Sequence, residues 1–328
     1  MIRKMILKFM LVKKNKLKKP KKKLYLLSIV NKIFKKLRVV QEEKNNMAAV
    51  TPALIKELRE RTGVGMGKCK EALEEANGDM ELAIANLRKA GMASAVKKEG
   101  RETKEGMIGT AENEKTIAIV EVNAETDFVV KNERFKEFLE NIAREVANTN
   151  PSSLDAFLQQ KYSKESSLTV DQYRATIVQT IGENIQIKRI MTLQKSPERS
   201  FGIYSHLGGK IVTMVEITGS NQEEALAKDI AMHIAATAPD YLSPEKVPQE
   251  IITSEKDIAK GQIQGKPANI VDKIVEGKIN AFYDTNCLVR QKYIKDDSLS
   301  ITDLVNQRSK VVGKELAVTN FIRWNVGQ

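Results

Sequence analysis

Gly63-Val-Gly-Met-Gly-Lys68 is the stretch whose composition best suits phosphate chemistry, because closely spaced glycines free backbone N–H groups to meet an anion. Its spacing is wrong for a phosphate-binding loop, which needs four residues between the first glycine and Gly-Lys-Ser/Thr. Metal chemistry would need His and Cys at ligand spacing, yet the chain has two of each, His206, His233, Cys69 and Cys287, all scattered. No Ser/His/Asp or Cys/His arrangement suggests a nucleophile. The acidic residues alternate with Lys on helical faces, the solvated pattern. The chain is therefore expected not to be an enzyme and to need no cofactor and no metal. Two cysteines fit a reducing compartment, and no run of 18 apolar residues suggests a membrane span. A cytoplasmic location follows as the expectation.

The chemistry left is recognition, and Phe128 is its best carrier. It stands in Asn123-Ala-Glu-Thr-Asp-Phe-Val-Val-Lys-Asn132, where leaving the ring in water forgoes about 1.5–3 kcal/mol of burial. Two placements are open: the ring tucks under its own helix, or it waits for a partner. The elements around it show why the position matters. Gln160-Lys-Tyr-Ser-Lys164 recurs 131 positions on as Gln291-Lys-Tyr-Ile-Lys295, and the same offset pairs Gly182 with Gly313. Val120-Glu-Val122 matches Val215-Glu-Ile217 at offset 95, and Ile142-Ala143 matches Ile230-Ala231 at offset 88. The core is thus two copies of strand–helix–helix–strand, with antiparallel sheets packed against helices. Between strand and helix the first copy holds seven extra residues, around Phe128, where the second manages with Thr218-Gly-Ser-Asn221. The fold does not need the longer connection, which points to function.

The second copy in turn gains 43 residues at 244–286. Val247, Ile251 and Ile258 repeat at helical spacing in one arm, Ile270, Ile274, Val275 and Phe282 in the other, and Gly265-Lys-Pro267 breaks them. This predicts an inserted, coiled-coil-like helical hairpin, packed either on its own body or on another chain.

Before the core, Thr51-Pro52 starts a helix that stops at Thr62-Gly63; a second runs from about Lys68 to Ala76, and Asp79 caps a third to about Ala90. These make a small bundle like a ubiquitin-associated (UBA) domain, with Met66 in its glycine loop as core filler or as an exposed contact. The fold class is α+β, with boundaries at 1–46 (basic leader), 47–92 (UBA-like bundle), 93–104 (linker), 105–200 (core, first copy), 201–243 with 287–328 (core, second copy) and 244–286 (hairpin). Net charge belongs to the leader: residues 1–46 hold 16 Lys and Arg against 2 Asp and Glu, and the rest 38 against 40. The leader suits neither a signal peptide nor a transit peptide. A basic membrane anchor is one reading; the favoured one is a start codon assigned too early, with Met47 beginning the native protein.

Glu57-Leu-Arg-Glu-Arg-Thr-Gly-Val-Gly-Met-Gly-Lys-Cys-Lys70, continuing to Asn77-Gly-Asp79, and Glu125-Thr-Asp-Phe-Val129 carry a resemblance. In that order, with the duplicated core and the hairpin, residues 47–328 resemble bacterial elongation factor Ts, the guanine-nucleotide exchange factor for the GTPase elongation factor Tu. The resemblance implies that Asp127 and Phe128 enter the partner's nucleotide domain near its bound Mg²⁺, with Thr126 and Val129 shaping the loop. It implies contacts through Arg59 and Met66, though Gly67 replaces a bulky residue common in the family. It places Tyr204, His206, Gly209 and Lys210 towards the partner's other domains, and His233 near the interface or, alternatively, as a satisfied core histidine. In long family members the hairpin is a dimerisation or partner-contact arm. The chain ends at Gly327-Gln328, without a further helix that some members use for contact.

Three functions compete. The first is a non-enzymatic exchange factor; the alternative is a UBA-type binding scaffold. An RNA-binding role rests only on the leader, since a body of net charge −2 offers little counterion-release drive. Neither nucleic acid nor membrane is expected as a partner.

Overall fold

The computed structural model describes Lys32 and residues 50–263 and 267–328. Apart from Lys32, the leader lies outside the described residues, as does the Gly265-Lys266 break. Two compact units divide between Lys89 and Ala90.

In the first unit, Thr51 caps helix α1 (Pro52–Thr62), its hydroxyl accepting the Leu54 N–H at 3.2 Å. Pro52 sits in the first turn, where a missing N–H costs nothing. Gly63 ends the helix at φ 69°, donating its N–H to the Arg59 carbonyl. Helices α2 (Met66–Glu75) and α3 (Met80–Lys98) follow, and Leu58, Val64, Cys69, Leu73 and Leu87 form the apolar centre. Sequence reading ended α3 near Ala90 and put a linker at 93–104, but the helix runs to Lys98. Gly91 is no stop: a side chain there would meet Gln179 Oε1 at 2.9 Å, so its absence makes room for the neighbouring helix that carries Gln179.

The second unit is mixed helix and strand. Its first half runs β1 (Glu105–Glu112), β2 (Thr116–Ala124), α4 (Asp127–Lys131), α5 (Glu133–Thr149), α6 (Leu154–Gln159), β3 (Lys161–Tyr162), β4 (Glu165–Thr169), α7 (Val170–Ile181) and β5 (Ile185–Gln194). Its second half runs β6 (Arg199–His206), β7 (Ile211–Thr218), α8 (Glu224–Thr237), α9 (Gln249–Gly261), α10 (Ala268–Asn286), β8 (Lys292–Tyr293), β9 (Asp296–Ser300), α11 (Ile301–Val312) and β10 (Ala317–Asn325). Two antiparallel three-stranded sheets result, ordered β1-β2-β5 and β10-β7-β6.

Period-two alternation explains why β2 is buried along its whole length. Ala118, Val120, Val122 and Ala124 pack with Phe135, Phe138 and Ile142 of α5. On the other face Ile119 joins Ile108, Val212, Met214 and Trp324, so the two sheets meet through that face. In β7, Val215 and Ile217 pack with Ile230 and Ile234 of α8. The central strand of each half is thus covered by a helix outside and a sheet inside.

The two copies share their local devices. Thr169 with Gln172 and Ser300 with Asp303 form capping boxes at the same offset of 131. Gly182 and Gly313 end the following helices in the left-handed region. Lys164 donates to Asn141, and Lys295 to Asp229, at equivalent places.

The inserted pair α9 and α10 packs through Ala259, Val275 and Ile279, with a second cluster of Val247, Ile252 and Cys287 at its base. The seam differs from the expected one. Ile252 and Ala259 face inward, while Ile251 and Ile258 are exposed. Adjacent apolar residues on a helix lie about 100° apart, and spacing alone does not choose between them. Among the described residues, no helix is long and apolar enough to cross a membrane.

Candidate functional site

The lengthened connection is not an open loop. Residues Asp127–Lys131 form the single turn α4, capped by Thr126, whose hydroxyl accepts the Val129 N–H at 3.4 Å. Five residues cannot pay the cost of helix nucleation alone. The turn is held from below by Val129 and Val130, both buried in the first core, and Asn132 serves as the cap of α5 immediately after it. The residue just before these valines is treated differently: Phe128 is 80% exposed. The alternative placement under its own helix is therefore not the one adopted. Lys131 lies 6.0 Å from the ring centroid and pairs with Asp127 at 2.7 Å. That pairing holds the Asp127 carboxyl below the usual carboxylate range.

The base of this turn is tied to the loop after α7 by a reciprocal exchange. Glu183 accepts the Thr126 N–H at 3.1 Å and its hydroxyl at 2.8 Å. Glu125 in return accepts the Asn184 N–H at 2.6 Å and an Arg101 N–H at 3.3 Å. Sequence reading singled out neither Glu183, Asn184 nor Arg101. The signal was in the comparison of copies: at the Glu183 position the second copy has Lys314.

A second group surrounds the β6–β7 turn. Tyr204 and His206 are partly exposed, and the phenol oxygen lies 3.2 Å from His206 Nδ1. Gly209 is buried with φ 88°, its carbonyl accepting the Ile108 N–H at 2.8 Å; a side chain there would strike Met107. Lys210 pairs with Glu105. Glu105 stands opposite Ala124 in the β1–β2 register, so this turn and the base of α4 meet at one end of the first sheet. In the other unit, Arg59 is exposed on α1 and Met66, exposed, opens α2 rather than lying in a loop.

His233 is fully buried on α8. Its Nδ1 accepts the Ile294 N–H at 3.3 Å, so Nε2 carries the proton and donates to Gln291 Oε1 at 2.9 Å. In the first copy Glu145, at the equivalent position, accepts the Ser163 N–H at 3.0 Å. Position 233 thus anchors the β8–β9 connection and presents nothing to solvent. Burial pushes the His233 pKa below its ordinary value, against an opposing pull from Gln291. An unfolded chain then binds the proton first, so the contribution is present above about pH 6.5 and is lost as pH falls towards the folded value. The thermal midpoint of the wild type should fall between pH 7.5 and 5.5 by more than that of a His233→Gln variant. Parallel melting curves would disprove it.

Among the described residues, no group of three or more His, Cys, Asp and Glu is arranged to hold a metal ion. What the site offers is a presented aromatic ring with a rigid base, which is the chemistry of a protein contact. Comparison with known proteins agrees in kind. The family model described as Elongation factor TS matches residues 125–328. "Elongation factor Ts" of Chlamydia muridarum (strain MoPn / Nigg) is 47% identical over 273 residues, covering 83% of this chain and 97% of that protein. The proteins of the same name from Chlamydia felis (strain Fe/C-56) and Chlamydia pneumoniae are 48% and 46% identical over the same shares. With the presented turn and the whole second copy of the core inside the matched region, the chain belongs to the elongation factor Ts family.

Proposed function

We propose that this chain is a guanine-nucleotide exchange factor: it binds the GDP-bound GTPase elongation factor Tu and promotes GDP release so that GTP can enter. The observation that carries the reading is Phe128, left in water on a turn whose two ends are anchored. Asp127 and Phe128 enter the GTPase beside its nucleotide-bound Mg²⁺. Octahedral Mg²⁺ tolerates little displacement of its ligands, and the diphosphate depends on that ion and on oriented backbone amides. Burial of the ring stabilises the displaced arrangement. The factor and the nucleotide then weaken each other by one shared coupling energy.

A nanomolar nucleotide has about 12 kcal/mol of binding free energy, more than one ring supplies, so further contacts take part. We assign these to Tyr204, His206 and Lys210 on the β6–β7 turn, with Gly209 holding its shape, and to Arg59 and Met66 on a UBA-like first bundle. His233 contributes from inside by fixing the segment Gln291–Ile294. The outward residues Ile251, Ile258 and Ile270 of the coiled-coil-like hairpin are the face for the GTPase or for a second copy of the chain.

The test is release of labelled GDP from elongation factor Tu in the presence of excess unlabelled nucleotide. The chain should raise the release rate strongly and in a saturable way, without consuming any substrate. A scaffold that only recruits partners would leave the rate unchanged.

A further inference from the structure

We infer that Glu183 is a positioning residue for the exchange wedge: its carboxylate clamps the base of α4 and so sets the direction in which Phe128 is presented. This rests on the exchange reading above. The turn is held on both of its sides. On its C-terminal side Val129 and Val130 are buried. On its N-terminal side the Thr126 N–H and hydroxyl both donate to Glu183, one to each carboxylate oxygen. Phe128 itself, being exposed, has no core packing to orient it, so its direction is inherited from these anchors.

The clamp is built, not incidental. Helix α7 ends at Gly182 with φ 97°, a conformation side chains rarely adopt, and the chain turns there to bring Glu183 and Asn184 to Thr126 and Glu125. Asn184 is fully buried and donates its side-chain N–H groups to the Arg101 carbonyl at 2.9 Å and the Glu99 carbonyl at 3.4 Å. Lys98 donates to the Gly182 carbonyl at 2.7 Å. The loop carrying the carboxylate is therefore pinned from both sides.

The second copy separates this role from the needs of the fold. There the equivalent helix also ends on a left-handed glycine, Gly313, yet the next residues are Lys314 and Glu315. Its short connection closes through Gly219, which approaches the Glu315 carbonyl so closely that a side chain would overlap it. A carboxylate at the Glu183 position accompanies the presented turn and is absent where no turn is presented.

The experiment compares wild type, Phe128→Ala, Glu183→Ala, the double variant and Glu183→Gln in GDP release from elongation factor Tu across a range of factor concentrations. Misplacing a functional group by about 1 Å can cost up to about 100-fold in rate. Glu183→Ala should lower the maximal release rate by about tenfold on that scale, while the half-saturating concentration changes far less. Groups that act as a unit are non-additive, so in the Phe128→Ala background Glu183→Ala should change the rate less than about twofold. Glu183→Gln, which keeps one oxygen for the Thr126 donors, should fall between, and it carries the test if the Ala variant does not fold. Hydrogen exchange at the Thr126 amide should quicken in both variants. An equal loss in the wild-type and Phe128→Ala backgrounds would assign Glu183 a general structural role and overturn the proposal. So would an unimpaired Glu183→Ala beside an impaired Phe128→Ala. Full activity of Phe128→Ala would instead overturn the wedge reading itself, and the proposal with it.

Discussion

A Phe128→Ala chain should lose about 10- to 150-fold of the acceleration of GDP release while melting at the same temperature as the parent. The rate arithmetic follows from burial. Taking a phenylalanine ring out of water is worth about 1.5–3 kcal/mol, and each 1.36 kcal/mol is about tenfold in rate. The ring is exposed in the free factor, so that free energy is unrealised until the ring enters the GTPase. The same exposure sets the stability result. No core contact is removed, and such surface substitutions usually stay within about 0.5 kcal/mol. The two measurements together are discriminating. A drop in melting temperature would mean that the ring supports its own subunit. An unchanged release rate would mean that something else opens the nucleotide pocket.

The largest stability effect is expected at Glu121. Its side chain is fully buried on β2, on the face that meets the second sheet. One oxygen accepts from Arg189 Nε at 2.7 Å, and the other accepts the Gly327 N–H at 3.0 Å. Arg189 in turn donates to the Asn325 carbonyl at 3.1 Å and lies over the Trp324 ring, 4.3 Å from its centre. A carboxylate of the first copy thus fastens the last strand of the second. Removing the buried carboxylate leaves the Gly327 N–H and a guanidinium that is only partly in water uncompensated, at a cost of about 3 kcal/mol, the lower end for a buried pair. Glu121→Ala should lower the melting temperature by about 6–12 °C, at roughly 2–4 °C per kcal/mol for a unit of this size. Converting both Glu121 and Arg189 to leucine should recover much of that loss, because a well-packed apolar pair avoids the desolvation cost. A Glu121→Ala chain that melted within about 2 °C of wild type would show that the two halves are held by apolar packing alone.

Much of the architecture is written locally. The recurrence of Gln160-Lys-Tyr at Gln291-Lys-Tyr, the glycine stops at 182 and 313 and the helical spacing across 244–286 are short-range patterns, and each corresponds to an element of the structure. The changes of offset between the copies also placed the lengthened connection that holds Phe128. These features are legible because capping, glycine conformation and hydrophobic periodicity act over a few residues.

What tertiary structure alone decided is which groups meet. Thr126 and Glu183 are 57 residues apart in the chain, Glu121 and Arg189 are 68 apart, and Glu121 and Gly327 are 206 apart. Nothing in their local context announces these pairings. The same holds for exposure. Phe128 lies in water beside two buried valines, His233 is buried with both ring nitrogens bonded, and Ile252 rather than Ile251 faces the hairpin seam. A residue's type states what its burial or ionic pairing would be worth, but whether that free energy is used inside the fold or kept for a partner depends on distant segments arriving at the same place.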